Sequence, residues 1–309
     1  MPQLSNVRQA LQFALCNLQS ARRRGIAWTM IGVFDSGHGG LTVFRALLAR
    51  FPGVAFVYLG DHANAPYGNR SSPDVVDLTR TGIETLFGLG AGLVLLGCNT
   101  ATCVAARTLQ RDWLPASHWR GRNILGIVAP TVEAATQTPW AVSSPQYPQK
   151  YNTDLIAVFG TTRTVTSGVY REEILKRCPK AIVVEQACPE LAGAIEAGAA
   201  EIELDRLVSV GVAAMLAQTA NAPPHRAILG CTHYPLVEHL FRRHLPAFTR
   251  LLPQPDVVAD SLEDYLTRHP RYAAPNAGAP PRLLTTGDTK AVSAGARLFW
   301  PDAPDFEQL

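Results

Sequence analysis

The 309-residue sequence lacks any apolar run as long as the ~18 residues that a membrane-spanning helix needs. It also lacks a basic tract interleaved with aromatic residues, and its net charge of +3 is mild, so a nucleic-acid surface is not indicated. No positively charged region precedes an apolar core near the start, as it would in a secretory signal peptide. We therefore expect a cytoplasmic protein whose partners include neither a membrane nor a nucleic acid.

Signatures of cofactors are scarce as well. No P-loop is present, and "GLGAG" at 88–92 precedes a predicted strand where the dinucleotide fingerprint requires a helix. Lysine is rare, and none of the four lies on a turn that carries other reactive groups, which argues against a pyridoxal Schiff base. The sequence has no CxxC pair for a metal. We expect a site that uses no cofactor and no metal.

Short apolar runs dominate what is present, in a chain that is 47% hydrophobic and 17% charged. Between them lie segments with helical spacing, such as 41–50 and 75–89. Nearly continuous apolar strands that alternate with helices predict parallel sheets covered on both faces, which is the α/β class. The predicted strands are 27–35, 54–61, 92–98, 123–130, 154–160, 181–189, 225–231 and 256–260.

The strand endings repeat within the chain. "FDSGHGG" and "GCNTATC" in the first half match "FGTTRTV" and "GCTHYP" in the second. We predict an extension at 1–29 and two pseudo-symmetric α/β lobes, formed by 30–126 plus 255–309 and by 127–254, with a surface insert at 136–153. Ligands of such sheets bind outside the carboxyl ends of the strands, so the four turns should meet in a cleft.

Two cysteines, Cys98 and Cys231, end strands at matching places in the two halves. A following helix N-terminus would lower the pKa of each thiol. A covalent nucleophile would need only Cys231 with His233 as base, which leaves Cys98 unused. A metal site could join both thiols with Cys103 and His233. Two facing acid/base thiols would use both, because inversion at a carbon requires one group to remove a proton and another to return one. All six cysteines should be free thiols.

Two further turns could contribute to such a site. The glycines around Ser36 leave backbone N–H groups open to a carboxylate. Asp35 could receive an ammonium group or assist Cys98, and a simple Asx turn or helix cap is the alternative. On the loop after the second strand, the Tyr67 hydroxyl and the backbone beside Pro66 and Gly68 could reach a substrate, or form an ordinary turn.

The blocks "GVFDSGHGGLTV", "YLGDHANAPYGNRS", "LLGCNTAT", "FGTTRTVTSGVY", "QACPELAGAIEAG", "ILGCTHYPL" and "TTGD" together resemble bacterial glutamate racemases. The resemblance covers about residues 30–290, in the order of that family. It implies two pseudo-symmetric lobes and a proton transfer at Cα of glutamate without pyridoxal or metal. It also implies a supply of D-glutamate to peptidoglycan.

Carried over by motif, the resemblance implies that Cys98 removes the Cα proton of D-glutamate and Cys231 that of L-glutamate. Asp35 and His233 would be the auxiliary groups of the two thiols, and Glu196 a further acidic residue on the Cys231 side. The implied substrate contacts are Asp35, Ser36, Pro66, Tyr67, Gly68, Asn99, Thr100, Thr232 and His233.

Some expectations stay open at this stage. A racemase of aspartate or another small acid is one alternative, and an inhibitory protein, for instance of DNA gyrase, is another. Asn64 stands where an arginine is common in the family, and Met30 is an alternative start. Some family members with an N-terminal extension are activated by a cell-wall precursor, so UDP-N-acetylmuramoyl-L-alanine is a candidate activator. Family members commonly dimerise, so we expect a second copy of the chain as a partner.

Overall fold

The computed structural model describes residues 30–138, 153–273 and 280–309. The predicted extension at 1–29 and nearly all of the insert at 136–153 lie outside the described residues. Within the described ranges, no helix is long and apolar enough to cross a membrane.

The strands form two sheets, and every pairing in them is parallel. The first sheet has the order β10-β9-β2-β1-β3-β4 and the second has the order β6-β5-β7-β8. The strands are β1 (Met30–Asp35), β2 (Phe56–Gly60), β3 (Ala91–Leu96), β4 (Asn123–Gly126), β5 (Leu155–Gly160), β6 (Ile182–Ala187), β7 (Arg226–Gly230), β8 (Arg250–Leu252), β9 (Arg282–Thr285) and β10 (Glu307–Gln308).

Helices connect the strands. They are α1 (Leu41–Arg50), α2 (Ser72–Gly88), α3 (Asn99–Thr108), α4 (Leu114–Ala116), α5 (Val128–Thr136), α6 (Thr162–Thr166), α7 (Val169–Arg177), α8 (Leu191–Glu196), α9 (Glu201–Gln218), α10 (Glu238–His244), α11 (Gln254–Arg268) and α12 (Thr289–Ala296). A π-helical turn, Leu109–Trp113, links α3 to α4. The α/β class predicted from the sequence is confirmed.

The two sheets share one strand order. The run β2-β1-β3-β4 in the first sheet corresponds to β6-β5-β7-β8 in the second. In each run the order of winding reverses between the two central strands, and such a reversal opens a crevice at their carboxyl ends. The turns that follow β1, β3, β5 and β7 are the four repeated turns of the sequence. This arrangement supports the proposed division into two lobes.

Helix α11 corrects one predicted strand. The short apolar run at 256–260 lies within this helix, which begins at Gln254 and has Pro255 in its first turn. Val258, Leu262 and Leu266 then recur at helical spacing and are buried. A run of five residues does not by itself separate a buried strand from one face of a helix. Helix α11 packs against both α1 and α5 and so contacts both lobes.

The contact between α2 and β1 provides a test of the packing. A Cβ at Gly82 of α2 would overlap the buried ring of Phe34 on β1, whereas a Cβ at Gly88 of the same helix would meet nothing within 4 Å. We expect Gly82→Ala to lower the free energy of unfolding by about 1–3 kcal/mol through overpacking. Gly88→Ala should be neutral or slightly stabilising. Urea unfolding compares the two variants, and equal stability would contradict this packing.

Candidate active site

The two thiols lie at corresponding places in the two sheets. Cys98 follows β3 and caps α3, and its Sγ accepts a hydrogen bond from the Ala101 N–H at 3.4 Å. Cys231 follows β7, but a 3₁₀ turn comes next, and α10 begins only at Glu238. Both thiols are 5% exposed. The predicted helix N-terminus is therefore present at Cys98 and absent at Cys231.

The pKa of the Cys98 thiol is raised to about 12. Burial is the largest cause, and the nearby charge of Asp35 adds to it. The Ala101 N–H and the Ser36 hydroxyl, whose Oγ lies 3.5 Å from Sγ, lower the pKa by less. The helix N-terminus lowers this pKa through the Ala101 N–H, as predicted, but desolvation outweighs it. Cys98 is held as a thiol at neutral pH.

A chain of hydrogen-bonded side chains supports Cys231. Its Sγ lies 3.6 Å from Nδ1 of His233, and Nε2 of the same ring bonds Oε2 of Glu196. Oε1 of Glu196 bonds Nδ1 of His38, and Nε2 of His38 lies 2.8 Å from the Val292 carbonyl oxygen. The structure thus places Glu196 and His233 together on the Cys231 side, as the sequence led us to expect. It adds His38, whose presence in "FDSGHGG" was the only sequence signal.

Charges along this series of hydrogen-bonded side chains reinforce one another. Burial raises the pKa of Glu196, but hydrogen bonds from His233 and His38 outweigh it and hold the pKa well below its usual range. Burial lowers the pKa of His233, but its bonds with Cys231 and Glu196 outweigh this and raise the pKa well above its ordinary value. Cys231 therefore neighbours an imidazolium, while Cys98 neighbours a carboxyl group.

That carboxyl group, on Asp35, is completely buried. Its Oδ1 accepts the Gly37 N–H at 2.8 Å, and its Oδ2 accepts the Thr232 hydroxyl of the other lobe at 3.4 Å. Burial raises its pKa to about 6, although the charge of His233 acts against this. The side chain within hydrogen-bonding distance of Cys98 is Ser36, so Asp35 acts on that thiol through its charge.

The loop after β2 contributes less through side chains than predicted. The Tyr67 hydroxyl is buried and donates to Asp61 at 2.6 Å, so it is held within the loop. Pro66 is exposed. A Cβ at Gly68 would lie 2.9 Å from Thr161, so this glycine lets the loop meet the second lobe closely. Asn64, the departure from the common arginine, bonds Asp61 within the loop.

The side chains after Cys98 face the other lobe. The Asn99 amide donates to Gln254 at 2.5 Å and accepts from the Tyr170 hydroxyl at 2.6 Å, and all three residues are buried. The Thr100 hydroxyl lies 3.1 Å from that of Thr161. The Asn99 side-chain amide therefore joins the two lobes. A ligand would have to contact this residue through its main chain at the start of α3. Tyr170 ends the block "FGTTRTVTSGVY", but that block did not indicate this contact, and no motif of the sequence indicated Gln254.

Solved proteins share this fold over nearly its whole length. Glutamate racemase from Bacillus anthracis matches 91% of this chain and 96% of its own, with a TM-score of 0.74 and 26% identity. Glutamate racemase from Francisella tularensis, solved in complex with D-glutamate, matches 91% of this chain and 96% of its own, with a TM-score of 0.73 and 22% identity. The fold and its matched thiols define an amino-acid racemase of the two-lobed α/β class.

Sequence comparison narrows this class to one family. Glutamate racemase from Phenylobacterium zucineum is 47% identical over 281 residues, which are 90% of this chain and 99% of the relative. No model of a protein family matches the chain. Identity at this level over most of both proteins shows that the chain belongs to the glutamate racemase family. The resemblance found in the sequence motifs is confirmed.

Asp35 gives the site a measurable dependence on pH. Its pKa is 3.8 ordinarily and about 6 in the folded protein. Between these values the unfolded chain has lost the proton that the folded protein keeps, so stability falls as pH rises, by about 3 kcal/mol in all. We expect Asp35→Asn to unfold at higher urea than the unmodified protein at about pH 7.5. The advantage should shrink at about pH 4, and a pH-independent gap would contradict the assignment.

Proposed function

We propose that the protein interconverts L- and D-glutamate, with Cys98 and Cys231 as the two acid/base groups on opposite faces of Cα. The observation that carries this proposal is the placement of the thiols at corresponding strand ends, β3 and β7, of two sheets with the same strand order. A single-cysteine nucleophile would leave one of these matched thiols without a role.

The unlike surroundings of the thiols suit transfer from L-glutamate. Cys231, whose Sγ lies 3.6 Å from Nδ1 of His233, takes the Cα proton of L-glutamate. Cys98, held as a thiol, donates its proton to the opposite face and yields D-glutamate. The Ala101 N–H and Ser36 hydroxyl then stabilise the Cys98 thiolate that forms. From D-glutamate the same transfers run in reverse.

Backbone N–H groups at the start of α3 and after β1 are the proposed donors to the substrate carboxylates and to the negative charge that develops at Cα. The family relationship supports glutamate as substrate over aspartate. Since D-glutamate is a component of peptidoglycan, we assign the enzyme to supplying it for the cell wall.

Circular dichroism with each enantiomer tests the substrate. We expect the signal of L-glutamate and that of D-glutamate each to decay to zero without added cofactor, because enantiomers have equal free energy. L- and D-aspartate should keep their signals. Decay of aspartate alone would move the substrate to a smaller acid. No decay with any of them, in folded protein with reduced thiols, would contradict the proposed activity.

Substitution and isotope exchange test the roles of the thiols. Cys98→Ser and Cys231→Ser should each lower kcat by about 10²–10⁴-fold, because each removes one acid/base group. Cys103→Ser, in the helix that Cys98 caps and also buried, is the matched control. In D₂O at low conversion, the product should carry deuterium at Cα while recovered substrate does not. Deuterium in recovered substrate would indicate one shared base.

A further inference from the structure

His38 occupies a position that the proposed transfers do not use. It lies in the turn between β1 and α1, is 7% exposed and ends the hydrogen-bonded chain from Cys231. Its ring is stacked on Phe299, with centroids 5.7 Å apart, and contacts the ring of His62, with centroids 4.3 Å apart. Buried polar rings in such a setting are held by their hydrogen bonds.

Both ring nitrogens of His38 face acceptors. The Val292 carbonyl oxygen, 2.8 Å from Nε2, can only accept, so Nε2 carries a hydrogen. Nδ1 faces the Glu196 carboxylate, which is ionised because its pKa lies well below the usual range. The bond between His38 and Glu196 is therefore one to an ionised carboxylate, which makes it charge-assisted.

This arrangement fixes Glu196 from two sides. One oxygen is bound by His38 of the first lobe and the other by His233 of the second. The Glu196 side chain is 32% exposed, so burial alone does not hold it. Without a donor at His38, the carboxylate can rotate towards solvent and leave Nε2 of His233 unsupported. His233 is the residue that contacts Cys231.

The surroundings of His38 keep its ring still. His62 beside it has a pKa lowered to about 4, chiefly by burial, so it adds no charge at neutral pH. Phe306 meets the ring edge-on with centroids 6.2 Å apart. A Cβ at Gly295 of α12 would lie 2.9 Å from Cε1 of His38, so the helix packs directly against it. Glu196 is the charged partner in this pocket.

We propose that His38 is a positioning residue of the Cys231 half-site, which orients the Glu196 carboxylate on His233 and thereby aligns His233 with the Cys231 thiol. This proposal rests on the proposed racemisation. It concerns only one of the two proton transfers, because Cys98 has a separate set of partners in Ser36 and Ala101.

Two substitutions separate the two bonds of His38. The amide nitrogen of Asn occupies nearly the place of Nδ1, so His38→Asn retains the donor to Glu196. The amide nitrogen of Gln occupies nearly the place of Nε2, so His38→Gln retains only the donor to Val292. His62→Asn, which keeps a donor towards Thr285, controls for the loss of a ring from the same pocket.

Kinetics provide the first readout. We expect His38→Gln to lower kcat by about tenfold or more with little change in KM, and His38→Asn and His62→Asn to stay near the unmodified enzyme. The deuterium isotope effect on kcat/KM should rise for Cα-deuterated L-glutamate relative to the D enantiomer, because the transfer to Cys231 becomes the slower step. Equal losses in the Asn and Gln variants would indicate a merely structural ring and overturn the proposal.

Proton NMR of protein labelled with ¹⁵N-histidine provides a readout without substrate. The His233 Nε2–H, bonded to a carboxylate, should give a downfield resonance that His38→Asn retains and His38→Gln loses or shifts upfield. An unchanged resonance in His38→Gln would overturn the proposal. If the unmodified protein fails to racemise glutamate while the resonance responds as expected, the proposed activity fails and the positioning role stands.

Discussion

Hydrogen bonds that cross between the two lobes hold them together, and those of Asn99 join three buried side chains. Its amide exchanges two bonds with the Gln254 amide, at 2.5 and 3.0 Å, and accepts a third from Tyr170. Leaving one such group unpaired costs about 1–3 kcal/mol, so the lobes cannot separate here without loss. Because Asn99 directly follows Cys98, the bonds that hold the lobes also fix the position of the first thiol.

The repeated fold carries two chemically different half-sites. Matching strands deliver Cys98 and Cys231, yet burial and a nearby carboxyl group keep the first protonated, while an imidazolium adjoins the second. The asymmetry comes from residues that differ between the two halves, chiefly Glu196 on α8 and Asp35 at the end of β1.

The sequence was most informative where the pattern was local. Apolar runs that end in small polar turns predicted eight strands, of which seven are present, and they predicted that the turns meet. Both features can be read from the order of residues along the chain. The sequence failed for 256–260, a run too short to show its period. It also could not give the net pKa of Cys98, which depends on burial by distant residues. Tyr170 and Gln254 lie far from Asn99 in the chain, so only folding brings their partnership to light.

Glycines after β1 bring the two lobes close enough for the chemistry. A Cβ at Gly39 would overlap Thr232 and His233, so this glycine lets the first lobe contact the second half-site closely. A Cβ at Gly40 would overlap Asp35, so the turn also packs closely on its own strand. The same turn carries His38 to Glu196. Since Glu196 is bound from both lobes, any separation of them breaks one of its two hydrogen bonds. The support of His233, and with it the setting of Cys231, is therefore complete only in the closed arrangement.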